Sequence, residues 1–158
     1  MEARLEPFDP PRAELILGWI RSPEEADAWA TVADWPLEPE IFARWHADPD
    51  VRPYVFLADG EPAGYGELWL EPGEAELARI VVDPGRRGRG LGRRLVELLV
   101  AEAAGLGLRE IWLRVVPENA PALACYRSAG FVRASEDEET EFNKGQPRAY
   151  VWMRPSKI

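Results

Sequence analysis

Residues 83–94 read Asp-Pro-Gly-Arg-Arg-Gly-Arg-Gly-Leu-Gly-Arg-Arg, between a strand-like run at Glu76–Val82 and an amphipathic run that begins at Leu91. Glycines at 88, 90 and 92 let the backbone fold tightly and turn consecutive N–H groups toward one point. The helix that follows contributes the positive end of its dipole, so the segment suits a diphosphate. Arg86, Arg87, Arg89, Arg93 and Arg94 add guanidinium groups for phosphate. A solvated basic chain reversal is the plainer reading of the same residues.

Working outward, Tyr54–Ala58 and Ala63–Leu70 have strand character and are joined by the turn signal Asp59-Gly60. Leu95, Leu98 and Leu99 share one face of the helix from Leu91, which should end near Gly105 or Gly107. Ile111–Val116 reads as a further strand, Pro121–Ala129 as a second helix closed by Gly130, and Phe131–Ala134 with Arg148–Met153 as a closing strand pair. The acidic stretch Glu136–Glu141 between them reads as a solvated connection. Upstream, Ala3–Phe8 is a short strand candidate, Arg12–Ile20 and Pro39–His46 are helix candidates, and Ser22-Pro23-Glu24-Glu25 is a helix start. No repeat or linker divides the chain. The expectation is one domain over 1–158: a helical region at 1–53, a core at 63–131 and closing strands at 131–158. The fold class is α/β (α+β), with a mixed, twisted sheet of six to seven strands and helices on both faces.

Composition removes several functions. Asp and Glu number 28 against 19 Lys and Arg, a net charge of −9, which argues against a nucleic-acid surface. One cysteine, Cys125, and one histidine, His46, exclude an internal disulfide and a Cys/His zinc site, so no metal is expected. No apolar run approaches the roughly 18–20 residues of a membrane span. The first twelve residues, MEARLEPFDPPR, lack the basic leader and apolar stretch of a signal peptide, so a cytoplasmic protein is expected.

The loop is neither a Walker P-loop, since no GxxxxGK[ST] is present, nor a dinucleotide fingerprint, since Arg93 stands where a third glycine would fall. Arg87–Gly92 does fit R-x-x-G-x-G. With Asn119, Tyr126, Gly130 and Phe131 in the run Val116–Phe131, it resembles the GNAT-type N-acetyltransferase superfamily over about half the chain, from Ala63 to Phe131. The resemblance implies that Ile80, Val81 and Val82 end a splayed strand and pair with pantetheine. It also implies that Arg87, Gly88, Arg89, Gly90, Leu91, Gly92 and Arg93 hold the pyrophosphate of acetyl-CoA, and that Asn119 bonds the pantetheine. Tyr126 becomes the general acid toward the departing thiolate, or else a helix tyrosine packing on the core. The reaction implied is direct attack of a primary amine, on a small molecule or a peptide, in a ternary complex.

A base must take the amine's proton. Glu76, eleven residues before Arg87, stands where several family members place a catalytic glutamate. Strand alternation puts it on one face with Ala78, Ile80 and Val82. An exposed strand-start residue is the bland alternative, and Glu67 on the preceding strand is a second candidate. Members that acetylate protein N-termini often carry the base five residues before the Asn. Here that position is Arg114, which would repel an ammonium. Val82 N–H is the expected oxyanion donor.

Cys125 is expected to face the core, His46 to cap a helix, and one or two of Trp19, Trp29, Trp35 and Trp45 to reach a cleft. A catalytically idle acyl-CoA-binding module and a nucleotide-phosphate binder remain the rival functions. A homodimer, common among small enzymes, stays open.

Overall fold

A computed structural model describes residues 1–156. Seven strands form one sheet in the order β1-β2-β3-β4-β5-β7-β6. They are β1 (Ala3–Pro7), β2 (Val51–Ala58), β3 (Glu61–Glu71), β4 (Glu74–Val82), β5 (Glu110–Val115), β6 (Phe131–Arg133) and β7 (Val151–Pro155). The helices are α1 (Ala13–Leu17), α2 (Pro23–Ala30), α3 (Glu40–His46), α4 (Leu91–Gly105), α5 (Ala120–Ser128) and α6 (Glu136–Phe142). The expected mixed α/β architecture holds, and no helix among the described residues is long and apolar enough to cross a membrane.

Alternation along the strands explains the layering. In β2, Val55 and Leu57 face one side, where they meet Ile16, Trp19, Ile41 and Phe42 from α1, the turn after it and α3. Phe56 and Ala58 face the other, where Leu91, Leu95 and Leu99 of α4 cover them. The β2–β3 turn has Asp59 at φ 50° and Gly60 at φ 81°, the doubly left-handed form that matches hairpin twist. A Cβ on Gly66 in β3 would stand 2.8 Å from Leu99 Cδ1, so the bare backbone there lets α4 lie close on the sheet.

Two irregularities shape the centre of the sheet. Tyr65 pairs with Val81 and Glu67 with Ala78, so Arg79 and Ile80 together oppose Gly66, a β-bulge with Arg79 at φ 49°. The extra residue reverses the alternation. Ala75 and Leu77 before it, and Ile80 and Val82 after it, pack with α4, whereas Val81 packs with the opposite layer. Glu76 therefore does not share a face with Ile80 and Val82, contrary to simple period-2 counting. The second irregularity is a parting of strands. β4 and β5 run parallel only from Glu74↔Glu110 to Leu77↔Leu113, beyond which β4 diverges while β5 stays paired with β7 on its other edge through Val115.

Two further expectations are corrected. The acidic stretch is a helix, because Ser135 accepts from Glu138 N–H (3.1 Å) while Glu138 accepts from Ser135 N–H (3.1 Å). That capping box, with acids in the first turn, favours helix over an extended connection. The expected helix at Arg12–Ile20 is only a 3₁₀ turn (Pro10–Arg12) followed by the five-residue α1.

Candidate active site

The parting of β4 from β5 opens a cavity of about 990 Å³. Its floor is the outer half of β4, including Ile80, Val81 and Val82; one wall is α5 and the other is α2. The loop before α4 closes one end through Arg87, Gly88, Gly90, Leu91, Gly92 and Arg93. Arg89, from the same expected set, is exposed and does not line the cavity.

The loop geometry follows from its glycines. Gly88 and Gly90 sit at φ 79° and 75°, a left-handed conformation in which a side chain would be strained. The first helical bond of α4 runs from Arg94 N–H to Gly90 O (3.2 Å), leaving the N–H groups of Leu91, Gly92 and Arg93 without helical partners. These donors, the helix dipole and the Arg87 guanidinium fit a pyrophosphate. A Cβ on Gly92 would stand 3.0 Å from Cys125 Sγ, so α4 meets α5 closely at the cavity wall. Among the described residues no group of three His, Cys, Asp or Glu could hold a metal ion.

On α5, Asn119 is the N-cap: its Oδ1 accepts from Ala122 N–H (3.2 Å), and its amide hydrogens remain free to donate. Tyr126 lines the cavity two turns later, with its ring 6.5 Å from that of Phe131. Burial pushes its phenol upward, and neighbouring Cys125 adds to the shift, so the hydroxyl keeps its proton throughout the neutral range. Cys125 is half-buried and lines the cavity instead of lying wholly in the core; burial raises its thiol too, which makes it a poor nucleophile.

The two candidate bases stand in different surroundings. Glu76 lines the cavity and accepts two bonds from Arg114, at 2.6 Å from Nε and 2.7 Å from Nη2. Arg114 also donates to Gln146 Oε1 (2.8 Å) and lies 4.6 Å above the Trp152 ring. Burial works to lower its pKa, but the Glu76 carboxylate more than offsets this and raises it. Its charge is thus compensated within the site, and the repulsion expected of a bare cation does not arise.

Glu67 is 0% exposed and does not line the cavity. Its carboxylate accepts from Tyr65 Oη, Trp69 Nε1 (2.8 Å) and Arg79 Nη1 (2.8 Å), and His46 Nε2 lies 3.7 Å away. Burial pushes this carboxyl upward, but hydrogen bonding from His46, the Arg79 charge and bonds from Tyr65 and Trp69 together hold it below the ordinary value. His46, expected as a cap, instead bonds Tyr65 Oη (2.9 Å) inside this network.

Trp69, Arg79, Arg148 and Tyr150 also line the cavity and were not singled out from the sequence. Only Trp69 carried a signal, as an alternate strand position beside Glu67. Arg79 reaches the cavity only because of the bulge. Of the four tryptophans considered, Trp29 alone lines the cavity, its Nε1 donating to Arg79 O (2.7 Å); Trp35 lies 40% exposed elsewhere.

A phosphate-binding helix terminus at one end of a parted sheet, with a protonated phenol on the wall, is the arrangement of an acyl-CoA-dependent transferase. The chain belongs to the acetyltransferase (GNAT) family, whose model matches residues 15–131. By class it is an N-acetyltransferase with acetyl-CoA as co-substrate. It is 41% identical over 117 residues to a [ribosomal protein bS18]-alanine N-acetyltransferase of Salmonella typhimurium, covering 66% of this chain and 79% of that protein. It is 43% identical over 95 residues to a mycothiol acetyltransferase of Clavibacter michiganensis, covering 58% of this chain but 31% of that longer protein. The fold matches that of aminoglycoside acetyltransferase AAC(6')-Ib in complex with coenzyme A and kanamycin. There the TM-score is 0.74 at 21% identity, over 99% of this chain and 95% of the other.

Proposed function

We propose that this protein transfers the acetyl group of acetyl-CoA to a primary amine within a ternary complex. The carrying observation is that the strand parting after Leu77, the donor-rich terminus of α4 and Tyr126 all open on one cavity. The thioester, when bound, supplies an acyl carbon open to nucleophilic attack. Arg87, Arg93 and the N–H groups at Leu91–Arg93 bind the pyrophosphate, with Gly88, Gly90 and Gly92 permitting close approach. Ile80, Val81 and Val82 offer unpaired strand edge to the pantetheine, and the Asn119 amide donates to it. Val82 N–H faces the developing oxyanion.

Tyr126 holds its proton until the thiolate needs it, which its raised pKa favours. Glu76 orients the amine: each carboxylate oxygen accepts one bond from Arg114 and retains a lone pair for an ammonium N–H or for a water that takes its proton. Glu67, closed off from the cavity, fixes Arg79 and Trp69 in place and takes no proton from the amine.

The relatives carry different names, one a [ribosomal protein bS18]-alanine N-acetyltransferase and the other a mycothiol acetyltransferase. Relatedness thus supports the donor half, and the acceptor depends on this chain's own residues. The test is release of free CoA thiol from acetyl-CoA across small amines, polyamines, amino acids and peptides. Silence across that panel, with acetyl-CoA still raising Tm, would identify an idle binding module instead.

A further inference from the structure

The acceptor half of the cavity has an unusual combination of features: indole and phenol surfaces, with each charge there already matched. Trp29, Trp69 and Tyr150 line it. Both indoles are locked by their N–H groups, Trp29 to Arg79 O (2.7 Å) and Trp69 to Glu67 Oε1 (2.8 Å), so they present fixed ring surfaces. The Arg79 guanidinium lies between Trp45 (3.8 Å to the ring centre) and Trp69 (4.9 Å) and bonds Glu67. Arg114 is bonded through all three of its nitrogens, twice to Glu76 and once to Gln146. Arg148 Nη2 is shared between both oxygens of Asp27, at 3.2 and 2.9 Å.

These partners narrow the acceptor. An amino acid's carboxylate would have to compete with carboxylates already in place, since Arg79 is paired with Glu67, Arg114 with Glu76 and Arg148 with Asp27; burying it without a cation of its own is costly. A polyamine would need further open carboxylates beside its bound ammonium, whereas within the acceptor half Glu76 and Asp27 already serve arginines and the open ones, Glu24 and Glu118, stand only at the rim. One ammonium can be held, at the remaining lone pairs of Glu76, with the exposed rim carboxylates Glu24 and Glu118 drawing it in. The rest of the acceptor meets ring surface. Resting on the acetyl-transfer reading above, we propose that the acceptor is a small monoamine carried on an aromatic body, its ring packing against Trp69 and Trp29 while Glu76 holds its ammonium.

The chemistry balances without a further reactant. The amine nitrogen forms a C–N bond to the acetyl carbon as the C–S bond breaks, and the amine's proton leaves as the thiolate gains one.

The experiment measures CoA thiol release by the full chain at saturating acetyl-CoA. Acceptors are 2-phenylethylamine, butylamine, phenylalanine, spermidine and a peptide with N-terminal alanine. The expected kcat/KM for 2-phenylethylamine exceeds that for butylamine by about tenfold or more, the scale of a ring seated between aromatics. It exceeds that for phenylalanine, the same body with a carboxylate, by about 100-fold. Trp69→Leu should raise KM for 2-phenylethylamine about tenfold while leaving the rise in Tm produced by acetyl-CoA intact. Equal or better turnover of spermidine, phenylalanine or the peptide overturns the proposal and leaves acetyl transfer standing. Turnover of no amine overturns acetyl transfer itself. If Trp69→Leu fails to fold, the wild-type ranking alone decides.

Discussion

Glu67→Gln separates two roles that the sequence could not tell apart. The substitution keeps the shape of a fully buried side chain and removes its charge. Arg79, 15% exposed and with a buried Nε that has no partner among the described residues, then loses the one anionic neighbour that those residues place within salt-bridge distance. Breaking one side of a buried pair costs about 3–5 kcal/mol, and the amide still accepts from one donor, so about 3 kcal/mol is expected. For a chain of this size each kcal/mol moves Tm by about 2–4 °C, which predicts a fall of roughly 6–12 °C by calorimetry. Because Arg79 and Trp69 form the acceptor wall, KM for the amine should rise several-fold while kcat falls less than tenfold.

The pH dependence has a definite sign. The folded-state pKa of Glu67 lies below its ordinary 4.5. Its contribution is therefore present above that value and is lost as pH falls through the folded pKa. The Tm gap between wild type and variant should be constant from neutral pH to about 5 and narrow in stronger acid. An unchanged Tm combined with a loss of kcat of about 100-fold or more, the worth of a general base, would refute this and return Glu67 to the proton-transfer step.

Three further outcomes are expected. Tyr126→Phe should retain the rise in Tm caused by acetyl-CoA, about 2.7 kcal/mol at 100 times Kd, while turnover drops about 10²–10⁴-fold; unchanged turnover assigns Tyr126 to packing. Gly92→Ala places a methyl 3.0 Å from Cys125 Sγ and should cost about 1–3 kcal/mol, with Cys125→Ala on the same chain restoring most of it. No recovery in that double variant would show that the helix approach is set elsewhere. Ser135→Ala removes the cap of α6 and should lower stability by about 1 kcal/mol without affecting turnover, as urea unfolding and thiol release would show.

How much of this was legible depended on the range of the interaction. The hairpin turn at Asp59-Gly60, the donor loop and the start of α2 at Ser22 were readable because the cause lies within four residues of the effect. The capping box at Ser135–Glu138 was equally local, but a run of acids invited a surface reading and concealed it. The bulge at Arg79 was not readable. It sits opposite Gly66 of the neighbouring strand, where α4 lies close through Leu99, and it reverses the alternation used to place Glu76. The partners of Glu67 and Glu76 were equally hidden: His46 is 21 residues from Glu67, and Arg114 is 38 from Glu76. Residue types named the candidates, and only tertiary pairing distinguishes one open to the cavity from one enclosed.

The same pairing changes the meaning of the net charge. Arg86, Arg87, Arg89, Arg93 and Arg94 carry +5, so the rest of the chain carries −9 − 5 = −14. That suggests an acidic acceptor region beside a cationic loop. Inside the cavity the arrangement differs: Glu76 on β4 is matched by Arg114 on β5, and Asp27 on α2 by Arg148 in the segment before β7. At 4 Å and an effective dielectric near 20, one unmatched guanidinium would oppose an ammonium by about 4 kcal/mol, nearly a thousandfold in affinity. Placing Arg114 on β5 is therefore tolerable for an amine acceptor only because Glu76 stands beside it on β4. The carboxylate stands one strand over from Arg114, at a point where the sheet is beginning to part, and the arginine holds it there.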